Sequence, residues 1–269
     1  MNILSKYSKL FDLGFQSTFV YRWNFILRSL FGIVPLIGTV YLWRAIFDSG
    51  SGQLGGYDYS KMLMYFAFTV LVENLITPTE DEWQIAADIR DGRISMSILK
   101  PLNYMAYRFT LYLSYRTLYT LVILPGIALI FFFLREHIVL PTSMMTWLAF
   151  TVSVIMAGLI QFFIAFSLAM LAFWIYEITT VVFIVFSFEY FLSGQILPLD
   201  LMPAWFAGFI KWAPFTYELF FPVQILMERS TGIALREGLI IQTAWTLAGY
   251  LLATAMWRAG IKRYQAFGG

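Results

Sequence analysis

The sequence predicts an all-α membrane protein of six transmembrane helices with both termini in the cytoplasm, and three observations carry that reading. First, 60% of the residues are hydrophobic and the mean hydropathy is +0.72, above the roughly 45–50% apolar content of soluble domains. Second, the excess lies in long runs of Leu, Ile, Phe, Val and Met, which in water would expose aggregating patches. Third, threading those runs as spans puts twelve of the 18 Lys and Arg residues on one side, the bias of cytoplasmic loops.

Composition also removes whole classes of chemistry. With no cysteine there is no disulfide framework, thiolate nucleophile or Cys-based metal site. One histidine, His137, makes no His cluster for zinc or iron. A net charge of +2 gives no reason to expect nucleic acid as a partner.

The elements follow in order. Residues 1–22 carry Leu4, Tyr7, Phe11 and Phe15 at helical spacing, with Lys6, Lys9, Asp12 and Gln16 between them. That stripe predicts a helix lying in the membrane interface, apolar face down. No short apolar core ending in a small-residue cleavage site precedes it, so the start does not read as a signal peptide.

A span needs roughly 20 mostly apolar residues. Candidates are 24–46, 61–79, 107–134, 144–172, 175–197 and 237–258. Pro35 and Pro125 fall inside the first and third, where neighbouring helices satisfy the freed carbonyl. Residues 47–60 form a Gly-rich loop, no internal repeat is evident, and 1–269 reads as a single domain.

Two segments are not simple spans. Residues 80–104 are charged, cytoplasmic and periodic: Ile85, Ile89, Met96 and Leu99 fall near one helical face, with Gly92 completing the stripe. Asp81 and Glu82 suit the positive end of the helix dipole, and Pro101 stops the element. Its apolar surface needs a cover, either anionic lipid or a cytosolic protein. Residues 198–233 hold four of the nine prolines, Pro198, Pro203, Pro214 and Pro222, separated by apolar stretches too short to cross. They predict an external re-entrant hairpin, with Trp205, Trp212 and Tyr217 at headgroup level.

Ionisable groups at membrane depth are costly and face a cavity or a partner. Glu73 in the second span, Gln161 in the fourth and Glu189 in the fifth are therefore candidates for a polar path. Structural hydrogen bonds between helices are the other reading for Glu73 and Glu189. Arg28 and Arg116 are expected to snorkel to the cytoplasmic surface. Glu177 either snorkels likewise or meets an arginine of a partner protein.

No GxxxxGK[ST] loop occurs, so this chain does not bind ATP by that device. Leu192-Ser193-Gly194-Gln195 is similar to the LSGGQ signature of ABC ATPases, but it lacks a glycine and ends a hydrophobic run. The Ser-Gly pair instead permits a tight bend. Ser193 as a nucleophile would need a base, and neither His137 nor Lys211 is well placed in the sequence.

Asp88-Ile89-Arg90-Asp91-Gly92-Arg93-Ile94, followed by Ile98-Leu99-Lys100-Pro101, resembles the cytoplasmic loop of ABC-2-type permeases, the membrane subunits of ABC exporters. Ser193-Gly194, Leu197-Pro198-Leu199, Pro203, Ala213-Pro214-Phe215-Thr216-Tyr217 and Pro222 resemble that family's external hairpin. The Tyr264–Gly269 end is similar to the tail of a branch often built as two different paired subunits.

The resemblance implies a coupling helix at about 82–99, with Ile85, Asp88, Ile89, Arg90, Gly92, Arg93, Met96, Leu99 and Lys100 facing a cytosolic ABC ATPase dimer. It implies an external hairpin built on Ser193, Gly194, Pro198, Pro203, Pro214 and Tyr217. It also implies a second permease subunit, with ATP and Mg bound by the partner ATPase and no cofactor in this chain. The function it implies is export of an amphipathic, drug-like, lipid or glycan substrate across a bacterial inner membrane by alternating packings. An intramembrane enzyme acting on a lipid or peptide is the competing reading, to be separated by whether a cytosolic ATPase accompanies the chain.

Overall fold

A computed structural model describes residues 3–19, 22–50, 53–76, 81–99 and 101–264, with backbone alone for 3, 4, 18, 22–34 and 81. Helices dominate. They are α1 (Ile3–Phe19), α2 (Arg22–Ser49), α3 (Tyr59–Ile76), α4 (Asp81–Arg90), α5 (Ile94–Ile98), α6 (Tyr104–Phe133), α7 (Met144–Met170), α8 (Thr179–Leu192), α9 (Ala204–Ile210), α10 (Phe220–Leu226) and α11 (Gly232–Arg263). Among the described residues α6, α7 and α11 are long and apolar enough to cross a membrane. Pro35 and Pro125 sit inside α2 and α6, as their positions in apolar runs predict.

The core forms around α3. Its residues from Met62 to Thr69 are buried without a break, the mark of a helix enclosed on every side rather than striped. Met62, Tyr65, Phe68 and Val72 pack with Phe150, Ala157 and Ile160 of α7 and with Phe221, Val223 and Ile225 of α10. α2 and α6 pack on its remaining faces. α11 lies along α7, where Gly260 passes so close to Phe173 that a Cβ there would fall 2.1 Å from the ring. α1 packs on α6: Ser114 donates to the Phe11 carbonyl at 2.8 Å, and a Cβ on Gly14 would sit 2.7 Å from the Ser114 hydroxyl.

An enclosed helix must still satisfy its last carbonyls, which have no partner within the helix. Arg116 of α6 does this for α3. Its guanidinium donates to the carbonyls of Leu75 at 2.7 Å, Glu73 at 3.2 Å and Asn74. The cationic fork suits the negative end of the helix dipole. Arg116 is buried, so the expectation that it snorkels to the surface is corrected: three carbonyls at a buried helix end compete better than distant water. The side chain of Arg28 lies outside the described residues.

Two sequence boundaries also change. The apolar run at 175–197 is helical only over Thr179–Leu192, 14 residues. At 1.5 Å per residue this is about 21 Å, short of the roughly 30 Å hydrocarbon core. The helix stops early because Gly194 takes a left-handed φ of +87°, which most side chains resist. Within the Pro-rich segment, Trp205 and Trp212 are exposed but Tyr217 is buried, donating to the Lys211 carbonyl at 2.9 Å. Tyr217 is thus a packing residue rather than a half-wet ring at headgroup level.

Replacing Arg116 with Leu strands the Leu75 and Asn74 carbonyls, at a cost of about 2–5 kcal/mol. The expected result is a clear drop in Tm of the detergent-purified protein. Arg116→Lys, which cannot fork across three acceptors, should recover only part of it.

Candidate functional site

Two regions gather the polar side chains that the sequence singles out. The first is the segment from Asp81 to Leu99. It is not the single helix that its periodicity predicts. α4 ends at Arg90, Gly92 reverses the chain at φ +75°, and α5 begins at Ile94. The bend splits the apolar stripe. Ile85, Ile89 and Ile94 turn inward and are buried with Phe162, Phe166 and Met170 of α7. Met96 and Leu99 turn outward, 73% and 86% exposed. The expectation of one continuous face is therefore corrected, because this chain's own α7 takes half of it. Lys100 lies outside the described residues.

Charge fixes the bend. Asp88 accepts from Arg93 Nε at 3.0 Å and lies 3.9 Å from the buried Arg108, while Asp91 pairs with Arg93 at 3.0 Å. Arg90 stands 3.9 Å from Glu177 and 5.5 Å from the centroid of Tyr176. Glu177 thus meets an arginine of its own chain. Hydrogen bonds from the Thr179 hydroxyl and amide, then the field of Arg90, hold its carboxyl below the usual range. A depressed carboxyl stabilises the fold above its ordinary pKa and loses that contribution as pH falls through the lowered value. From the far end of the chain, Tyr264 donates to the Gly92 carbonyl at 3.1 Å and accepts from Ser95 at 2.7 Å.

The second region is a cavity of about 390 Å³ between α3, α7, α8 and the Pro-rich segment. It collects Glu73, Gln161 and Glu189, all three path candidates, from three helices. Gln161 donates to Glu189 at 3.0 Å, and Gln195 donates to Glu73 at 2.6 Å. Two residues missed by the sequence reading complete it, Gln195 and Glu218. Glu218 is 1% exposed and its carboxyl faces that of Glu189. Its neighbours in sequence, prolines and aromatics, point to a surface hairpin, so nothing local signals burial. Ser193 is buried on the cavity wall, and Tyr65 donates to the Gly194 carbonyl at 2.5 Å.

The rest of the hairpin is tied down from several sides. Pro198 precedes a single turn at Leu199–Leu201, Pro203 precedes α9, and Pro214 opens a turn at Pro214–Tyr217. Thr216 donates to the Ile210 carbonyl at 2.8 Å. Tyr57 donates to both oxygens of Asp200, at 3.1 and 3.0 Å, and accepts from Gln224 at 3.0 Å. Arg229 pairs with Asp200 at 3.0 Å and lies 4.1 Å from the Tyr57 ring centroid. Burial, then the Asp200 carboxylate, pushes the Tyr57 hydroxyl well above its ordinary pKa, so the proton stays on Tyr57. His137 lies elsewhere, 2.9 Å from the Ser60 hydroxyl and edge-on to Tyr59.

The polar cavity thus lies against α7, one of the three described helices long and apolar enough to cross a membrane. The family model for the ABC-2 family transporter protein matches residues 33–268, and the chain belongs to that family. A search of the curated proteins gives no match.

Asp88→Asn removes the charge shared by Arg93 and Arg108. Losing about 1–2 kcal/mol of local stability should speed amide exchange across 91–98 by roughly five- to thirtyfold, with exchange in α7 unchanged. Hydrogen–deuterium exchange read by mass spectrometry checks this.

Proposed function

We propose that this chain is the permease subunit of an ATP-driven exporter, with six spans, both termini cytoplasmic, and the α4–α5 bend docked into a cytosolic ABC ATPase. Residues 1–22 are the interfacial helix, 80–104 the coupling segment and 198–233 an external re-entrant hairpin of one transmembrane domain. A second permease subunit completes the assembly, a different one in preference to a copy, in the inner membrane of a bacterium. ATP and Mg belong to the ATPase. Substrate leaves the cytoplasm or the inner leaflet as the helix bundles exchange packings.

The observation that carries the reading is the split stripe. Ile85 and Ile89 fasten the bend to α7, while Met96 and Leu99 stand out beside the charged pairs of Arg90, Asp91 and Arg93. An element rigidly held on one side and apolar on the other can transmit force. α7 is the natural receiver, because the same helix carries Gln161 to the cavity. The enzyme reading draws no comparable support: His137 is engaged with Ser60, and Ser193 sits among carboxyls.

Seating Leu99 in a partner is worth about 1.5–3 kcal/mol. Leu99→Asp should therefore weaken association with the ATPase by roughly 10–100-fold and abolish stimulated ATP hydrolysis, with Tm unmoved. Ile89→Asp buries a charge within the chain and should lower Tm as well. Normal coupling in Leu99→Asp and Met96→Asp would remove the bend from the interface.

A further inference from the structure

We propose that the cavity between α3, α7, α8 and the Pro-rich segment is the substrate site and takes an organic cation with an apolar body, its charge seated between Glu189 and Glu218. The inference rests on the permease reading and adds the class of substrate.

The cavity is rich in acceptors and poor in donors. Glu218 is 1% exposed, and apart from its contact with Glu189 neither of its oxygens has a hydrogen-bond donor. The second oxygen of Glu189 has none, and nor does the amide oxygen of Gln161, a residue also 1% exposed. These unpartnered oxygens belong to residues that line the same space. Two carboxyls in contact at membrane depth cannot both be ionised unless a positive charge, a proton or a bound cation, lies between them. Among the described residues that line the cavity, none is basic. Arg116, whose field reaches Glu73, is committed to the carbonyls that end α3.

Among the described residues no three acidic or imidazole groups are arranged to hold a metal ion. The volume of about 390 Å³ instead lies within the range of roughly 300–1,000 Å³ typical of small-molecule sites. The walls suit an apolar cation, since Phe186 and Tyr190 of α8 are aromatic and Ile76 and Leu219 aliphatic. Gln161 and Gln195 hold Glu189 and Glu73 in place, each through one amide hydrogen. Glu218 is left as the principal acceptor for the ligand, and Glu189 as its neighbour.

The test uses two ions of nearly the same shape and opposite charge, tetraphenylphosphonium and tetraphenylborate, with the full chain purified in lipid nanodiscs together with its native associates. We expect saturable binding of the cation and at least tenfold weaker binding of the anion. Glu218→Gln and Glu189→Gln should each weaken cation binding tenfold or more, whereas Glu237→Gln, exposed on α11, should not change it. In the unmutated protein, the cation should also protect Glu189 and Glu218 from a hydrophobic carbodiimide, with labelling located by mass spectrometry. Equal binding of the two ions, no loss in either variant, or labelling unaffected by the cation would overturn the assignment. An ATPase retained in the same preparation while cation binding fails would overturn the substrate class and leave the permease reading standing.

Discussion

The fold depends on how α3 ends. A helix buried along most of its length gains apolar contact on all sides, but its final carbonyls are carried into the same water-poor interior. Arg116 resolves this from α6 by spreading one guanidinium over three acceptors. Much else follows from that contact. It fixes α6 against α3, with Tyr119 adding a bond to Asn74 at 3.1 Å, and sets the height at which Glu73 enters the cavity.

α7 joins the two candidate sites. It presents Gln161 to the carboxyl pair, and the adjoining Phe162 and Phe166 pack against Ile85 and Ile89. Packed interiors are bistable rather than soft, so a shift of the bend and a rearrangement of the cavity are difficult to separate on a single rigid helix. The far end of the chain shares in this arrangement, because Tyr264 bonds to both arms of the bend. At the opposite end of the hairpin, Tyr57, Asp200 and Arg229 hold the turn at Leu199–Leu201 to the loop that precedes α3.

Helix class and most helix positions were legible in the sequence because apolar runs are long and strongly patterned. The three path candidates were conspicuous as polar groups in apolar runs, and Glu73, Gln161 and Glu189 do line one cavity. What periodicity could not convey is which partner covers a stripe. Ile85 and Met96 look alike in a helical projection, but Gly92 breaks the projection between them and α7 claims one and not the other. Glu218 escaped notice for a related reason. Its prolines and aromatic neighbours describe a surface turn, and only the tertiary fold draws that turn inward. Arg116 read as a cation seeking water, since the helix end that holds it is distant in sequence.

The shortness of α8 has a consequence for the surrounding lipid. Phe183, Ile184, Phe188 and Phe191 give it an outward greasy face, yet that wall is only about 21 Å tall. Acyl chains beside it must shorten or tilt to match, and such mismatch costs a fraction of a kcal/mol for each ångström. In the proposed six-span arrangement this wall faces lipid, and the bilayer would be thinned on the flank next to the acidic cavity.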